Sequence, residues 1–367
     1  MAESESFSCP SCGGGLVFDP ETQSLKCTHC GFAEPIAQSN SVIVEHDFAS
    51  RGERPEDLAW SQTQIVIKCD SCGAETVLEQ GVTSAFCAFC GSPHVVPERE
   101  GDPGIRPESV LPFQISLAQA KDIFTRWIAS DLLAPGNLKR LAQSEKLSGV
   151  YTPSWTFDAD TRSSFTAQAG THYYETVVRH VTVNGKRETR TETVQKTHWR
   201  PVSGSYSRFF DDVTVPASRN VPERYATSVL VFDYTDLRPY DAKFLSGFSS
   251  ERYGVGIDEG WDSAKEAIGR GIVSGITEQV LAQHHCDVVA QIHVRTDYND
   301  VQYKLLLAPL WRSAFRYMNR TFTYLINGQS GRIVGKRPKS PFKVALLVLA
   351  ALAVAFVVIS LANRYYI

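Results

Sequence analysis

The sequence predicts an α+β protein with two N-terminal four-cysteine zinc ribbons, a β-rich α+β body and one C-terminal transmembrane helix. Three observations predict this architecture. Eight of the nine cysteines form four Cys-x2-Cys pairs near the start, two helical patterns separate strand-like stretches, and an apolar run of nineteen residues lies near the end. With 367 residues, 43% of them hydrophobic, the chain can bury a substantial core.

The cysteines have the spacing of zinc ligands. Two Cys-x2-Cys pairs separated by fourteen residues are typical of a four-thiolate site, and this arrangement occurs twice. The predicted ligands are Cys9, Cys12, Cys27 and Cys30 in the first ribbon and Cys69, Cys72, Cys87 and Cys90 in the second. We therefore predict two Zn2+ ions per chain, each in a closed structural site that cannot activate water. Rubredoxin-like iron, redox-active pairs or a disulfide scaffold are the competing interpretations.

A glycine follows each cysteine pair, which is typical of a zinc knuckle. The four glycines are Gly13, Gly31, Gly73 and Gly91. A knuckle turns backbone N–H groups towards thiolate sulfur and often needs a positive φ, which glycine adopts without steric cost. The sequences between the knuckles indicate short hairpins. Because each ribbon already has four thiolates, we predict that His29 and His94 are surface residues and not ligands.

Charge is distributed unevenly along the chain. Residues 1–100 carry 15 acidic and 5 basic side chains, residues 101–335 carry 25 and 27, and residues 336–367 carry none and 5. Affinity for nucleic acid comes mainly from Lys and Arg that neutralise phosphates. The acidic front of the chain therefore argues against nucleic-acid binding. The excess of acidic residues favours another role for the ribbons: they form a protein-docking surface, or they pack on each other.

Two amphipathic helices are predicted. The first is SLAQAKDIFTRWIASDLL, with Ser116 as its N-cap. The second runs from Asp262 to about His284, where Gly271 and Gly275 permit close packing. The apolar faces consist of Ala120, Ile123, Phe124, Trp127 and Ile128 in the first helix and Ala264, Ile268, Ile272, Ile276 and Val280 in the second.

Between and after these helices the pattern is strand-like. Two aromatic stretches begin with Pro-x-Trp, at Pro153 and at Pro309, and each follows a helix. They suggest an internal duplication of a helix-plus-hairpin unit. The segment from Val177 to Trp199 has Asn184-Gly185 at a type I′ hairpin position. Its distal half carries Thr and charged residues on both faces, so we expect an exposed ribbon that projects from the core.

The apolar run, from Val344 to Ala362, contains Ser360 as its only polar residue and has the length of a membrane span. A buried core helix is the alternative. Basic residues are concentrated before the run, with Arg364 alone after it, and this bias predicts that the preceding chain faces the cytosol. These preceding residues are Lys336, Arg337, Lys339 and Lys343. Because the N-terminus has no apolar segment that would indicate secretion, we predict a tail-anchored protein whose preceding chain stays in the cytosol.

These signals divide the chain into six segments. They are residues 1–40 (zinc ribbon 1), 41–97 (zinc ribbon 2 with a preceding connector), 98–110 (a linker), 111–335 (the α+β body), 336–343 (a basic juxtamembrane segment) and 344–362 (the transmembrane helix).

The sequence offers few signals of catalysis. It contains no phosphate loop, no dinucleotide-binding Gly-x-Gly-x-x-Gly and no His-Glu-x-x-His. Asp211 and Asp212 are adjacent and would point to opposite faces of a strand, which favours solvated or turn-capping carboxylates. His284 to Asp287, HHCD, indicates a helix end and not a metal cluster. We therefore expect no enzymatic activity, with an unknown activity in residues 105–335 as the alternative.

Several stretches resemble a known family. They are GVYTPSWTFDADTRSSFTAQAGTHYY, HWRPVSGSYSRFFDDV, LAPLWRSAFRYMNRTFTYLINGQSGRIVGKRPKS, the Cys-Pro-x-Cys-Gly-like ribbons and the apolar anchor. Together they resemble a bacterial family of membrane-anchored double zinc-ribbon proteins. That family is often catalogued as primosomal protein N-prime (replication factor Y) helicase-like or transcription-factor-IIB-type. The resemblance implies the eight cysteines as metal ligands, and the missing phosphate loop restricts the helicase likeness to the ribbons.

The resemblance also implies protein partners. Some relatives are similar to proteins encoded beside phage-shock and SPFH-type membrane-stress components. The resemblance implies a single-pass protein of the bacterial inner membrane. The expected function is a non-enzymatic adaptor that faces the cytosol and recruits protein partners at that membrane. The alternative is a membrane-tethered nucleic-acid-binding protein associated with replication.

Overall fold

The computed structural model describes residues 7–37, 42–51, 65–69, 75–78, 95–98, 105–135, 147–183, 186–318 and 320–365. The strands are β1 Leu16–Asp19, β2 Ser24–Cys27, β3 Ala33–Pro35, β4 His46–Asp47, β5 Ile65–Cys69, β6 Glu75–Leu78, β7 Val95–Glu98, β8 Ser109–Val110, β9 Ser148–Val183, β10 Lys186–Pro216, β11 Arg238–Pro239, β12 Ser249–Glu251, β13 Val288–Tyr317, β14 Arg320–Asn327 and β15 Ile333–Gly335. The helices are α1 Leu117–Ala129, α2 Glu223–Val229, α3 Ile257–His284 and α4 Pro341–Tyr365.

A large, mostly antiparallel sheet forms the body, which confirms the predicted α+β class. Its strand order is β11-β8-β13-β9-β12-β6-β5-β7, with β10 paired to β9 and β14 paired to β13. Strand β9 is central because β13 covers one of its edges from Ser148 to Gly170 and β10 covers the other from Ser154 to Val183. A separate sheet, β1-β2-β3, belongs to the first ribbon.

Two of the three long strands, β10 and β13, contain bulges where they pair with β9. Register shifts occur in β10 between Phe210 and Val213, and in β13 beside Gln291 and Asp300. Gln291, Asp300 and Asp212 adopt positive φ values of 51°, 48° and 50°. Bulges bend a strand and turn side chains to new directions. The bulges therefore interrupt the regular alternation of side chains along β10 and β13.

Both predicted helices are confirmed. Ser116 and Gln119 form a reciprocal capping box at the start of α1, which buries Ala120, Phe124 and Ile128. Helix α3 starts at Ile257, five residues before the predicted start. It buries the predicted i,i+4 row, which consists of Ala264, Ile268, Ile272, Ile276 and Val280. This row packs on residues of β9 and β10.

The two Pro-x-Trp motifs occupy equivalent places. In the antiparallel β9–β13 pair, Pro153 lies opposite Leu307 and Pro309 lies opposite Tyr151. The indole N–H of Trp155 donates to the carbonyl of Val255, two residues before α3, at 2.8 Å. The indole N–H of Trp311 donates to the carbonyl of Ile115, two residues before α1, also at 2.8 Å. This reciprocal arrangement supports an internal duplication in which each half anchors the helix of the other.

The segment 98–110 differs in part from the predicted linker. Strand β8 lies within it and pairs with β13 and β11, and Ile105 and Val110 are buried. The proline- and glycine-rich composition suggested a solvent-exposed connection. The apolar residues after Gly104 instead bring the backbone into the sheet, where the N–H of Glu108 donates to the carbonyl of Leu305 at 2.9 Å.

The exposed ribbon is confirmed. Beyond Gly170, β9 pairs with β10 alone, and nearly all described side chains from Thr171 to Trp199 are exposed. Val183 lies opposite Lys186, and the predicted Asn184-Gly185 turn lies outside the described part of the chain. We call residues 171–183 and 186–199 the arm.

The apolar run forms helix α4. Over Pro341–Ser360 its mean hydropathy is 2.9 and none of that window is buried. Among the described residues it is the one helix long and apolar enough to cross a membrane. The exposure of its side chains argues against the alternative of a buried core helix.

The glycines of α3 give a test of its packing. A Cβ at Gly271 would lie 2.8 Å from the buried Phe210 ring, whereas a Cβ at Gly269 meets nothing within 4 Å. We expect Gly271→Ala to lower the free energy of unfolding by about 1–3 kcal/mol because it overpacks the interface. Gly269→Ala, the matched control, should raise it by about 0.5–1 kcal/mol through helix propensity. Denaturant unfolding in detergent measures both, and equal effects would contradict the close packing.

Candidate metal centre

Four cysteines of the first ribbon converge on one point. The Sγ atoms of Cys9, Cys12, Cys27 and Cys30 all lie within 4.8 Å of one another. The Cys9–Cys30 and Cys12–Cys27 sulfur distances are both 3.5 Å. A tetrahedral zinc ion with Zn–S bonds of about 2.3 Å holds its sulfurs about 3.8 Å apart. The sulfur positions therefore fit a single four-coordinate ion.

The backbone around the cysteines forms two knuckles. Gly13 and Gly31 adopt positive φ values of 73° and 76°, as predicted. Their N–H groups donate to the carbonyls of Cys9 and Cys27, at 2.8 and 3.1 Å. A Cβ at Gly14 would lie 3.0 Å from the His29 ring and 3.4 Å from the Cys12 sulfur. These glycines allow the chain to turn tightly beside the sulfurs.

The electrostatics of the site also point to a cation. The N–H groups of Cys30 and His29 lower the pKa of the Cys27 thiol to about 6, which favours its thiolate. The Gly14 N–H acts to lower the pKa of Cys12, but the neighbouring sulfurs raise it to about 12. Several thiolates so close together repel one another unless a metal ion compensates their charge. Among the described cysteines there is no disulfide, so the group has the chemistry of a zinc site.

The first ribbon is docked on the body. The N–H of Phe18 donates to the carbonyl of Ser246 at 3.0 Å, and the Ser246 hydroxyl donates to the carbonyl of Leu16 at 2.7 Å. The Phe18 ring packs edge-on against Phe244 with centroids 5.4 Å apart. The buried apolar residues of the ribbon thus share a core with α1 and the turn at 242–248. Two of the four cysteines, Cys9 and Cys27, lie in this same core, so the metal centre adjoins the surface by which the ribbon docks on the body.

The second ribbon is described only in part. The backbone of Cys69 ends strand β5, whereas Cys72, Cys87, Cys90 and His94 lie outside the described residues. Strand β5 pairs with β6 and β7, and β6 pairs with β12 of the body. The second predicted ion thus stays a prediction. His29, by contrast, is exposed as predicted and is not one of the four converging ligands.

A second polar cluster was not predicted. Lys304 Nζ lies 2.6 Å from Glu45 Oε1 and 2.6 Å from Asp212 Oδ1. The N–H of Asp212 donates to Asp158 Oδ1 at 2.6 Å, and Asp158 is only 4% exposed. Asp211 is exposed, as expected. Asp212 lies at the bulge, and its own carboxylate points into this cluster. The four side chains come from separate parts of the chain, so local sequence gives no signal for them.

The geometry of this cluster favours a structural role. Its three carboxylates have the mutual distances of a metal group, yet the Lys304 ammonium already bridges two of them. Burial and the hydrogen bond with Glu45 raise the pKa of Asp158 to about 7. A proton shared by Asp158 and Glu45 then reduces the repulsion among the carboxylates. The cluster thereby ties the segment before β4 to β9, β10 and β13.

Another buried carboxyl lies at the end of β12. Glu251, 3% exposed, accepts hydrogen bonds from Ser218 Oγ at 2.6 Å and Asn220 Nδ2 at 2.5 Å. Burial raises its pKa to about 7.

The HHCD stretch is a helix end, as predicted, because His285 adopts a left-handed conformation after α3. Asp287 accepts a hydrogen bond from the His172 N–H at 2.7 Å and so joins that end to the base of the arm.

The metal centre can be tested by removing two ligands. Cys9→Ser/Cys12→Ser should lose one zinc equivalent per chain relative to the wild type, because two thiolates cannot hold the ion tightly. Cys286→Ser is the matched control, since this buried cysteine lies outside the group. Metal analysis of the purified full-length chain measures the difference. An unchanged zinc content in the double variant would contradict the assignment.

Asp158 should make stability depend on pH. Its folded pKa of about 7 lies above the unfolded value of about 3.9. The folded state therefore holds the extra proton between about pH 4 and 7, and stability falls as pH rises through this window. Asp158→Asn mimics the protonated carboxyl, so its melting temperature relative to wild type should rise between pH 5 and pH 8.

The control for this prediction is Asp160→Asn, two residues along β9, because the Asp160 side chain is 37% exposed. Thermal unfolding of each variant at pH 5, 6, 7 and 8 isolates the effect. A constant difference between Asp158→Asn and wild type across these pH values would contradict the shared proton.

Comparisons with known proteins found a protein of similar sequence but no matching family. No family model matches, and no solved structure matches. The chain is 27% identical over 341 residues, 93% of its length and 92% of the relative's, to a Bacillus subtilis protein named "Uncharacterized protein YdjG". This similarity is longer than any single predicted segment, so it involves several of them. The resemblance to the double zinc-ribbon family stays a prediction.

Proposed function

We propose that the protein is a non-enzymatic adaptor, anchored in the bacterial inner membrane by α4, that recruits protein partners on the cytosolic side. The observation that carries this proposal is the arm, which extends beyond the part of β9 that pairs with β13 and exposes large apolar side chains. The same chain contains the apolar helix α4. The tetrathiolate centre supports it, because a closed four-coordinate site stabilises a fold and offers no open position for catalysis.

One face of the arm has the composition of a protein-binding surface. Thr197 and His172 lie opposite each other and are hydrogen bonded at 2.9 Å, so their face includes the alternate residues along β9. Tyr174 and Val178 on this face are 70% and 59% exposed. Aromatic residues dominate the binding energy of many protein interfaces. We call Tyr174 and Val178 the arm face.

The opposite face of the arm is more polar. Lys196 and Glu175 form an ion pair there, and Tyr173, opposite Lys196, is less exposed than Tyr174, at 47%. The two faces therefore offer a partner different chemistry. A partner of the adaptor would bury the arm face and leave the ion pair in solvent.

Charge supports the proposed orientation. Four basic residues precede the apolar run and one follows it, and such a bias keeps the more basic side in the cytosol. The ribbons and the body would then face the cytosol, where thiols stay reduced and available for zinc. In this proposal the second ribbon binds a second Zn2+ ion, and membrane-stress components of the phage-shock or SPFH type are the candidate partners.

The adaptor function can be tested by co-purification from native membranes. Tyr174→Ser/Val178→Ser should lose at least one protein that co-purifies with the wild type, because both side chains are exposed and would leave an interface. Tyr173→Ser on the opposite face is the matched control and should retain that protein. Quantitative mass spectrometry of the detergent extracts measures the ratio. Identical co-purification with all three proteins would contradict a docking role for the arm face.

The second ribbon needs a separate test. Cys69→Ser/Cys72→Ser should reduce the zinc content from two ions per chain to one, and wild type and variant can be compared for co-purified proteins. We expect the variant to lose partners that dock on the ribbon. A wild-type chain with a single tightly bound ion would contradict the predicted second site.

A further inference from the structure

A loop beside the start of α4 has an unusually exposed leucine. Residues 130–135 follow α1, and Leu132 among them is 88% exposed. Two hydrogen bonds within the loop stabilise its conformation. The N–H of Leu133 donates to Asp131 Oδ1 at 2.9 Å, and the N–H of Ala134 donates to the Asp131 carbonyl at 3.0 Å. Ala134 is buried. The loop is therefore ordered and directs Leu132 outward.

Three hydrogen bonds tie this loop to the first turn of α4. The N–H of Ser340 donates to the Leu133 carbonyl at 2.8 Å. Lys343 Nζ donates to the carbonyls of Leu132 at 3.1 Å and Ala134 at 2.8 Å. Arg337 also stacks over the Trp127 ring of α1 at 4.3 Å. The end of α1 and its loop are thus held at the point where the apolar helix begins.

The position of Lys343 sets the depth of the loop in a bilayer. Lysine near the end of a membrane span keeps its ammonium at the headgroup level. The carbonyls of Leu132 and Ala134 lie within hydrogen-bonding distance of that ammonium, so they lie at the same level. Leu132 is then close to the boundary between headgroups and acyl chains. Phe342, the residue before Lys343 on α4, is likewise exposed, at 77%.

We propose that residues 130–135 form a second membrane contact, in which Leu132 enters the acyl-chain boundary of the bilayer that α4 crosses. This inference rests on the proposed membrane anchoring. A bilayer is the occupant because the loop is hydrogen bonded to the span itself, and because the basic residues Lys336, Arg337, Lys339 and Lys343 complement anionic headgroups. Together, span and loop would fix the body in one orientation on the membrane surface.

Photo-crosslinking of the full-length protein tests this contact. The photoreactive amino acid p-benzoylphenylalanine is introduced in place of Leu132, of Leu349 in the middle of α4, or of Val178 in the arm. Leu349 and Val178 are 63% and 59% exposed. Val178 lies 27 residues along β9 from Tyr151, which shares a core with α1, a distance of up to roughly 90 Å at 3.3 Å per residue. The proteins are reconstituted in phosphatidylcholine/phosphatidylglycerol vesicles, illuminated and analysed by mass spectrometry.

We expect phospholipid adducts at positions 132 and 349, and at least about tenfold less adduct at 178. Adduct at 349 without adduct at 132 would overturn the second contact and leave the span in place. No adduct at 349 would remove the span on which the inference rests. Equal adduct at 132 and 178 would also overturn the proposal, because it would show no preference of the bilayer for the loop.

Discussion

The fold depends on the pairing of β9 with β13 and on the two indole hydrogen bonds that this pairing brings into place. Trp155 and Trp311 lie on neighbouring strands, and each binds the carbonyl just before the helix that precedes the other strand. A buried indole N–H without an acceptor would be costly. Each half of the body therefore fixes the start of a helix in the other half. The loss of either half would leave a buried donor and an unanchored helix.

Much of this architecture follows from local sequence signals. The spacing of Ala264, Ile268 and Ile272 predicts the buried row of α3, and Ser116 with Gln119 predicts the start of α1. The Asn184-Gly185 turn and the polar distal half predict an exposed arm. Each of these features depends on residues within a few positions of one another. Local physical rules on capping, periodicity and turn geometry are then sufficient.

The rest depends on contacts between distant parts of the chain. Strands as long as β9 and β13 contain many polar residues, and β13 also contains bulges, so the sequence pattern indicates only fragments of them. The cluster of Glu45, Asp158, Asp212 and Lys304 is another example, since the bulge at Asp212 reverses the direction that a regular strand would give its side chain. The zinc ligands of the first ribbon were predictable from spacing, but its docking at Ser246 was not, because that turn lies over 200 residues away.

That docking links metal supply to the condition of the whole protein. The first ribbon contributes Leu16, Phe18 and Leu25 to a core that also contains Phe244 and Tyr151, and a ribbon of this size is expected to need its ion to fold. In a zinc-starved cell, newly made chains would present uncovered aromatic surface on an otherwise formed body. Chaperones and proteases recognise such surface, so the abundance of this protein would follow the availability of zinc.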